Sequence, residues 1–399
     1  MNELVKYLKG DRAIWMIALL FGLVSMITVY SFIPTLVAQH GGSPETHLFK
    51  HILILFTGFA VMYYTHRIDF KYFSRLSQIM FWTAVILLIL TLFVGKNING
   101  AKRWLEIPVL NQGFQTSDFA KLAIVSYVAR MLVIKRDLMH DFKLGVWPVL
   151  WPVLLICVLI FPQDFSTSAM IFGICFLLMF IGKMPVKQLA LIAGGIFASL
   201  AFIFIIGKGM PDVFPRMETW SNRIEAFWAG DNEITAENQP QLESSQSAIY
   251  NGGFFGTGPG KGQFKRKIPQ AYADFFFASF IEEFGAVGAI IIMLIFMILL
   301  YRSVRIALKC EKNFGTYLSI GISVALMCQA MVNMAVPTGL VPVTGQNMPM
   351  LGLGGTSIWF TCISLGMILS VSRSVSAYEQ TNDMKQKVND IDDEKYVVT

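Results

Sequence analysis

Ten long apolar runs, separated by short polar breaks, constrain this 399-residue chain more than any other feature. A helix that crosses a bilayer needs roughly 17–25 mostly apolar residues in succession. Such runs lie at about 13–37, 50–66, 74–95, 116–134, 145–161, 166–182, 186–207, 274–301, 314–337 and 354–372. Charged residues make up only 15% of the chain, against roughly a quarter in soluble domains, so a soluble globular fold is excluded. The expected fold is all-α and polytopic, with about ten transmembrane helices. Residues 1–373 read as one membrane domain, and the hydrophilic tail 374–399 is expected to be disordered. The first run, Ala13 to Val37, is too long for a signal-peptide core and lacks a small-residue cleavage site, so no cleavable leader is expected.

Lysine and arginine in short loops set the orientation. They recur on one side of a ten-span arrangement: Lys6, Lys9 and Arg12; Arg67, Lys71 and Arg75; Lys135, Arg136 and Lys143; Lys183 and Lys187; Arg302, Arg305, Lys309 and Lys312. That side, with both termini, is expected to be cytoplasmic. The large loop 208–273, between helices 7 and 8, is then external, as are 96–115 and 338–353. Two of these external loops break the charge bias. Loop 96–115 carries Lys96, Lys102 and Arg103, and loop 208–273 carries Arg216, Arg223, Lys261, Lys265, Arg266 and Lys267 among others. Cations kept on the wrong side suit an anionic ligand on the outer face, although nearby acidic residues also allow a merely solvated loop. Within the large loop, Trp220, Ile224, Phe227 and Trp228 recur at helical spacing, which suggests a short amphipathic helix over Met217–Trp228. Residues 229–246 are polar and expected to be mobile. The glycines after Gly252 leave backbone N–H groups able to cradle phosphate, a weak signal.

The five cysteines lie in or beside apolar segments and read as small core residues, while the five histidines form no metal-ligand spacing. The chemistry-bearing candidates are charges at or inside the spans, where ionised groups are costly. Asp274 opens the eighth span; it is either a reacting carboxylate or a helix cap. Glu282 lies eight helical residues further in, about 12 Å, too deep to share a proton with Asp274. Glu282 and Glu283 therefore read as buried partners for cations on neighbouring helices, with Lys121 and Arg130 as the candidates. Asp118 and Lys121 share one helix face. Asp164 sits in a short break beside Ser166 and Thr167, and the Arg103 fork suits pyrophosphate. The uncharged loop 338–353, rich in glycine and proline, must line a cavity or pack inside the protein.

Several of these stretches occur together in one known family. Asn99-Gly100-Ala101-Lys102-Arg103-Trp104 followed by Phe114 to Lys121, Pro162-Gln163-Asp164-Phe165-Ser166-Thr167, Arg223-Ile224 with Phe227, Gln246-Ser247 through Gly260, Asp274-Phe275 with Phe277, Glu282, Glu283 and Gly285, and Gly339-Leu340-Val341-Pro342 through Gly354-Gly355-Thr356-Ser357 run in order over most of the chain. Their sequence resembles the SEDS family of peptidoglycan glycosyltransferases, and most of all its division-type branch. There are departures: Tyr272-Ala273 stands where the family carries His-Thr, Thr116 where it carries proline, Pro162-Gln163 is inverted, and Leu353 replaces tyrosine. Pro342-Val343-Thr344-Gly345 is closer to the elongation-type branch.

The resemblance implies an inverting transferase that polymerises lipid II into β-1,4 glycan strands at the outer face of the cytoplasmic membrane, releasing undecaprenyl pyrophosphate. It implies Asp274 as catalytic base, and Arg103, Lys121, Arg216, Arg223, Lys261 and Lys265 on the pyrophosphate side. Asp118, Asp164, Gln246, Glu282 and Glu283 would support the site. No cofactor is expected beyond the option of a divalent cation, Mg²⁺ or Mn²⁺. Expected partners are lipid II, the nascent glycan strand, a class B penicillin-binding protein, other divisome proteins and membrane lipid, at the division septum; nucleic acid is not expected. The alternatives are a lipid II flippase, a scaffold that only recruits a transpeptidase, and an elongation-type polymerase.

Overall fold

A computed structural model describes residues 8–98, 101–107, 112–209, 221, 239–266, 268 and 271–397. Each expected apolar segment is a helix: α1 (Arg12–His40), α2 (Pro44–Arg67), α3 (Phe70–Val94), α4 (Thr116–Ile134), α5 (Trp147–Ile160, entered through a π turn at Phe142–Val146), α6 (Phe165–Ile181) and α7 (Val186–Gly209). A shorter α8 (Gln239–Gly252) precedes α9 (Phe276–Lys309), α10 (Asn313–Ala335) and α11 (Thr356–Val397). Eight are long and apolar enough to cross a membrane, α5 together with its π turn; α6 is apolar but shorter, and α4 carries Asp118, Lys121 and Arg130. The protein is a polytopic helical membrane protein. The amphipathic helix expected at Met217–Trp228 and the polar stretch up to residue 238 fall outside the described residues, apart from Ser221, while the rest of the stretch expected to be mobile, 239–246, is instead the first part of α8.

The polar breaks act as caps, supplying acceptors for the first free N–H groups of a helix. Asp11 accepts from Ala13 N (2.8 Å), Ser43 precedes Pro44 at the start of α2, and Asp164 accepts from Thr167 N (3.0 Å). The tail expected to be disordered instead prolongs α11 to Val397, since no glycine or proline follows Gly366 to stop the helix. Lys309 pairs with Glu379 (2.7 Å) across the end of α9.

Two features went beyond the sequence reading. First, residues 96–115 form a three-stranded antiparallel sheet, β1 (Lys96–Ile98), β2 (Ala101–Ile107) and β3 (Gln112–Gln115), with Trp104 opposite both Lys96 and Gln115. Second, α9 is broken at Gly285, whose φ of 70° and ψ of −175° interrupt the helix. The chain after α8 fills that break. Ala286 N donates to Gly253 O (2.9 Å) and Val287 N to Phe254 O (3.2 Å), while Thr257 N and Gly258 N donate to Glu282 O (2.9 Å) and Glu283 O (3.0 Å). A broken helix at membrane depth must have its freed backbone groups satisfied by protein, and this inserted loop supplies the partners.

The contact leaves no room for side chains. A Cβ would lie 2.2 Å from Ile281 O at Gly252, 2.2 Å from Glu283 O at Gly256 and 2.3 Å from Phe254 O at Gly285. The glycines thus serve close backbone packing, and the amides of residues 257 and 258 are engaged with α9 rather than presented to a phosphate.

Candidate active site

At one end of the bundle the sheet, the α5–α6 break, the α8–α9 connection and loop 338–355 meet. Arg103, on β2, donates from Nε to Gln163 O (3.0 Å), and its Nη1 stands 2.9 Å from Asp164 Oδ2. That ion pair is not aligned as a hydrogen bond, so Oδ2 keeps an unused acceptor position. Gln163 also receives Lys102 N at its side-chain oxygen (2.8 Å). The α5–α6 break thereby clamps β2, and buried Asp164 fixes a guanidinium that uses few of its five donors.

Asp274 sits in the turn before α9, half-buried. The cap position falls on Phe275, so Asp274 stands one residue before it. Loop 338–355 brings Gly345 close to both the carboxylate and the arginine. A Cβ built on Gly345 would lie 2.8 Å from Arg103 Nη1 and 3.9 Å from Asp274 Oδ2. Beside it, burial pushes the Tyr272 hydroxyl above its ordinary pKa, and the negative charge of Asp274 adds to the shift.

Buried amides tie this loop down. Asn333 Nδ2, on α10, reaches Gln346 O (2.7 Å), Ala273 O (3.1 Å) and Asp274 O (3.3 Å). One turn earlier, Gln329 donates to Asn347 O (2.8 Å) and accepts from Lys121 Nζ. Gln346 donates to the Thr167 hydroxyl, just after the Asp164 cap. Lys121 also holds Asp118 (3.2 Å), at a cavity of about 20 Å³ lined by Gln329, Ser357, Thr361 and Ser364. That volume admits about one water. A second cavity of about 20 Å³ borders Arg103, Lys102, Thr116 and Asp164.

The expected residues therefore separate. Asp274, Arg103 and Asp164 converge, and Lys121 with Asp118 joins them through Gln329 and Asn347. Glu282 and Glu283 are buried as expected but with other partners, which corrects the reading that paired them with Lys121 and Arg130. Glu282 accepts from Gln263 N (2.6 Å), Phe264 N (3.1 Å) and Asn251 (3.2 Å), whereas Arg130 donates to Ser74 O (2.8 Å). Glu283 pairs with Lys265 at 2.5 Å, and Lys265 also reaches Ser31 Oγ (2.6 Å). Lys265 is 1% exposed, so it is a structural cation rather than the pyrophosphate ligand expected from its charge. Lys261 stays exposed on the inserted loop. Gln246 borders a cavity of about 440 Å³ with Ser247, Tyr250, Asn251 and Phe264, near Gly339. Arg216 and Arg223 lie outside the described residues. The sequence reading missed Gln329, Asn333, Gly345 and Gln346. Two amides four residues apart in an apolar span were the available signal for the first pair.

Fold and site together define a polytopic membrane protein with a carboxylate and an arginine held beside one glycine of loop 338–355. The family model described as a cell cycle protein, FtsW/RodA/SpoVE, matches residues 11–377. The chain belongs to that family. It is 30% identical over 357 residues to the probable peptidoglycan glycosyltransferase FtsW of Trichlorobacter lovleyi (87% of this chain, 89% of that one). To the stage V sporulation protein E of Bacillus subtilis it is 30% identical over 373 residues (91% and 97%). Among solved structures it resembles a chain described under structural coordination of polymerization and crosslinking by a peptidoglycan synthase complex, with TM-score 0.70 and 23% identity (92% and 98% covered). Thermus thermophilus rod shape determining protein RodA matches with TM-score 0.62 and 21% identity (91% and 97%).

Proposed function

We propose that this chain is a peptidoglycan glycosyltransferase of the division type, polymerising lipid II at the outer face of the cytoplasmic membrane. The observation that carries the reading is the approach of Asp274 and Arg103 to the same point above Gly345. In a single inverting displacement the acceptor sugar's 4-hydroxyl oxygen bonds to the donor's anomeric carbon as the carbon–oxygen bond to pyrophosphate breaks. Asp274 takes the hydroxyl proton, and undecaprenyl pyrophosphate departs with the electron pair. Arg103, pre-oriented by Asp164 and Gln163, offers its remaining donors to the developing negative charge. Lys121 and Asp118 stabilise the loop from below, through Gln329 and Asn347.

Among the described residues no three His, Cys, Asp or Glu side chains form a metal cage. A divalent cation fits only as a companion of the substrate, since Mg²⁺ is commonly held by one or two carboxylates plus phosphates; Asp274 would be the carboxylate. The partner we infer is a class B penicillin-binding protein, with septal placement following from the FtsW-named relatives. A fluorescent fusion along the side wall instead of the septum would reassign the chain to elongation.

The test is glycan synthesis from lipid II by the purified full chain in detergent, read on a gel. The wild type should make strands, and Asp274→Asn should lose 10²–10⁴-fold, the usual weight of a general base. Near-normal synthesis by that variant would sink the assignment of Asp274. No product from folded wild type, alone and with its transpeptidase, would favour the flippase.

A further inference from the structure

The end of the bundle opposite Asp274 carries a second site that the transferase chemistry does not use. Thr356, near the first site, and Arg373 are separated by about 26 Å of α11. There the start of α1, the α2–α3 turn and α11 enclose a cleft of about 650 Å³, lined by Lys9, Arg12, Asp69, Arg373, Ser374 and Ser376. Clefts of 300–1,000 Å³ are the usual size for small-ligand sites.

Charge pairing on this face is uneven. Arg302 is matched by Asp11, Lys309 by Glu379 and Lys71 by Asp69 (3.1 Å), so Asp69 already has its cation. Lys9 and Arg12 form no ion pair with a carboxylate among the described residues, and Arg373 acts on Asp69 through its charge without a direct ion pair. Arg373 spends one donor on Arg67 O (2.7 Å), and the residue itself lines the cleft. Three cations and the Ser374 hydroxyl, around a carboxylate already paired with Lys71, form a receptor for an oxyanion; the Ser376 hydroxyl donates to Ser372 O (3.1 Å).

The framework of the cleft and the charge of the face around it say where that anion comes from. Trp15, one turn into α1, donates from its indole N–H to Lys9 O (3.3 Å) and packs edge-on against His66 at 5.2 Å. At 8% exposure Trp15 lies inside the bundle, where it braces the start of α1 against the end of α2 and so fixes one wall of the cleft. The same face gathers Arg67, Lys71, Arg75 and Arg305, the bias expected of a cytoplasmic surface, whose leaflet is anionic. We propose that this cleft binds a phosphate group, supplied by the headgroup of an anionic phospholipid.

The experiment uses the purified full chain and measures lipid retention by native mass spectrometry, with thermal protection alongside. The probes are phosphatidylglycerol, phosphatidylcholine and inorganic phosphate. Wild type should prefer phosphatidylglycerol to phosphatidylcholine. Lys9→Gln/Arg12→Gln, two exposed positions without internal ion pairs, should weaken phosphatidylglycerol about 25-fold, roughly fivefold per basic residue at an anionic surface. Arg373→Gln should add to that loss, and the melting temperature without lipid reports whether its bond to Arg67 mattered for folding. Equal protection by millimolar inorganic phosphate, lost in the same variants, would keep the site and give it a soluble ligand. Phosphatidylglycerol binding that is unchanged in the Lys9/Arg12 variant, or no preference over phosphatidylcholine in the wild type, would overturn the proposal.

Discussion

Arg103 and Asp274 approach the same point above Gly345, and a single methyl group there would touch the guanidinium and the carboxylate together. Gly345 does not have a positive φ, so alanine is conformationally allowed and its cost is local. Because Arg103 is pinned by Gln163 and Asp164, it cannot swing away freely from a Cβ at 2.8 Å. Gly345→Ala is expected to lower glycan synthesis by about 10²-fold, the scale of an ångström-sized misplacement, with melting temperature nearly unchanged. Wild-type turnover in that variant would mean that the two groups do not work as a pair.

Lys265 and Glu283 make the opposite prediction. Their ion pair is buried at 2.5 Å and shared with Ser31 of α1, so removing one partner strands a charge inside the protein. Lys265→Met or Glu283→Leu alone should destabilise by about 3–5 kcal/mol, whereas the double change Lys265→Met/Glu283→Leu should cost markedly less than the sum. Thermal unfolding of the four chains in one detergent measures the coupling. Additive losses would return Lys265 to the substrate-binding group.

The contrast between these pairs shows what the sequence could carry. The spans are legible because hydropathy over twenty residues dominates in a bilayer, and Asp274 is legible because a carboxylate at the mouth of a span is costly. Partners are another matter. Lys265 looks like a surplus loop cation until the inserted loop folds back into the break at Gly285 and brings it to Glu283. The sheet carrying Arg103 was read by charge alone, although Asn99-Gly100 between alternating residues is a hairpin signal. Gly345 has no signature at all, because its importance lies in what two distant segments place beside it.

Asn333 positions the reacting carboxylate through the main chain. Its amide nitrogen serves the carbonyls of residues 273, 274 and 346, joining the α9 entry to loop 338–355. Asn333→Ala leaves buried carbonyls without a donor, at about 1–3 kcal/mol. Turnover at saturating lipid II should drop at least tenfold while the apparent KM moves little, since the residue touches no substrate. A purely structural role would show as lost stability with normal turnover per folded molecule.

The glycines of the inserted loop provide a graded test of the re-entrant packing. Gly256 and Gly285 combine positive φ (78° and 70°) with Cβ positions 2.2 and 2.3 Å from main-chain oxygens that cannot move without undoing the α9 break. Gly253 also has positive φ (51°), yet nothing lies within 4 Å of its Cβ. A positive-φ penalty of about 1–2 kcal/mol for an L-residue falls on all three, and Gly285, at ψ −175°, lies in a region essentially confined to glycine. Only the first two add a backbone collision. Gly253→Ala should therefore fold and lose only that amount, while Gly256→Ala and Gly285→Ala should lose several times more and yield little monodisperse protein in size-exclusion chromatography. If these glycines served chiefly to bare amides for a phosphate, all three variants would fold alike and differ in lipid II affinity instead. Equal melting temperatures across the three would thus discard the packing account, and a steep fall confined to Gly256 and Gly285 would locate the loop inside the helix break.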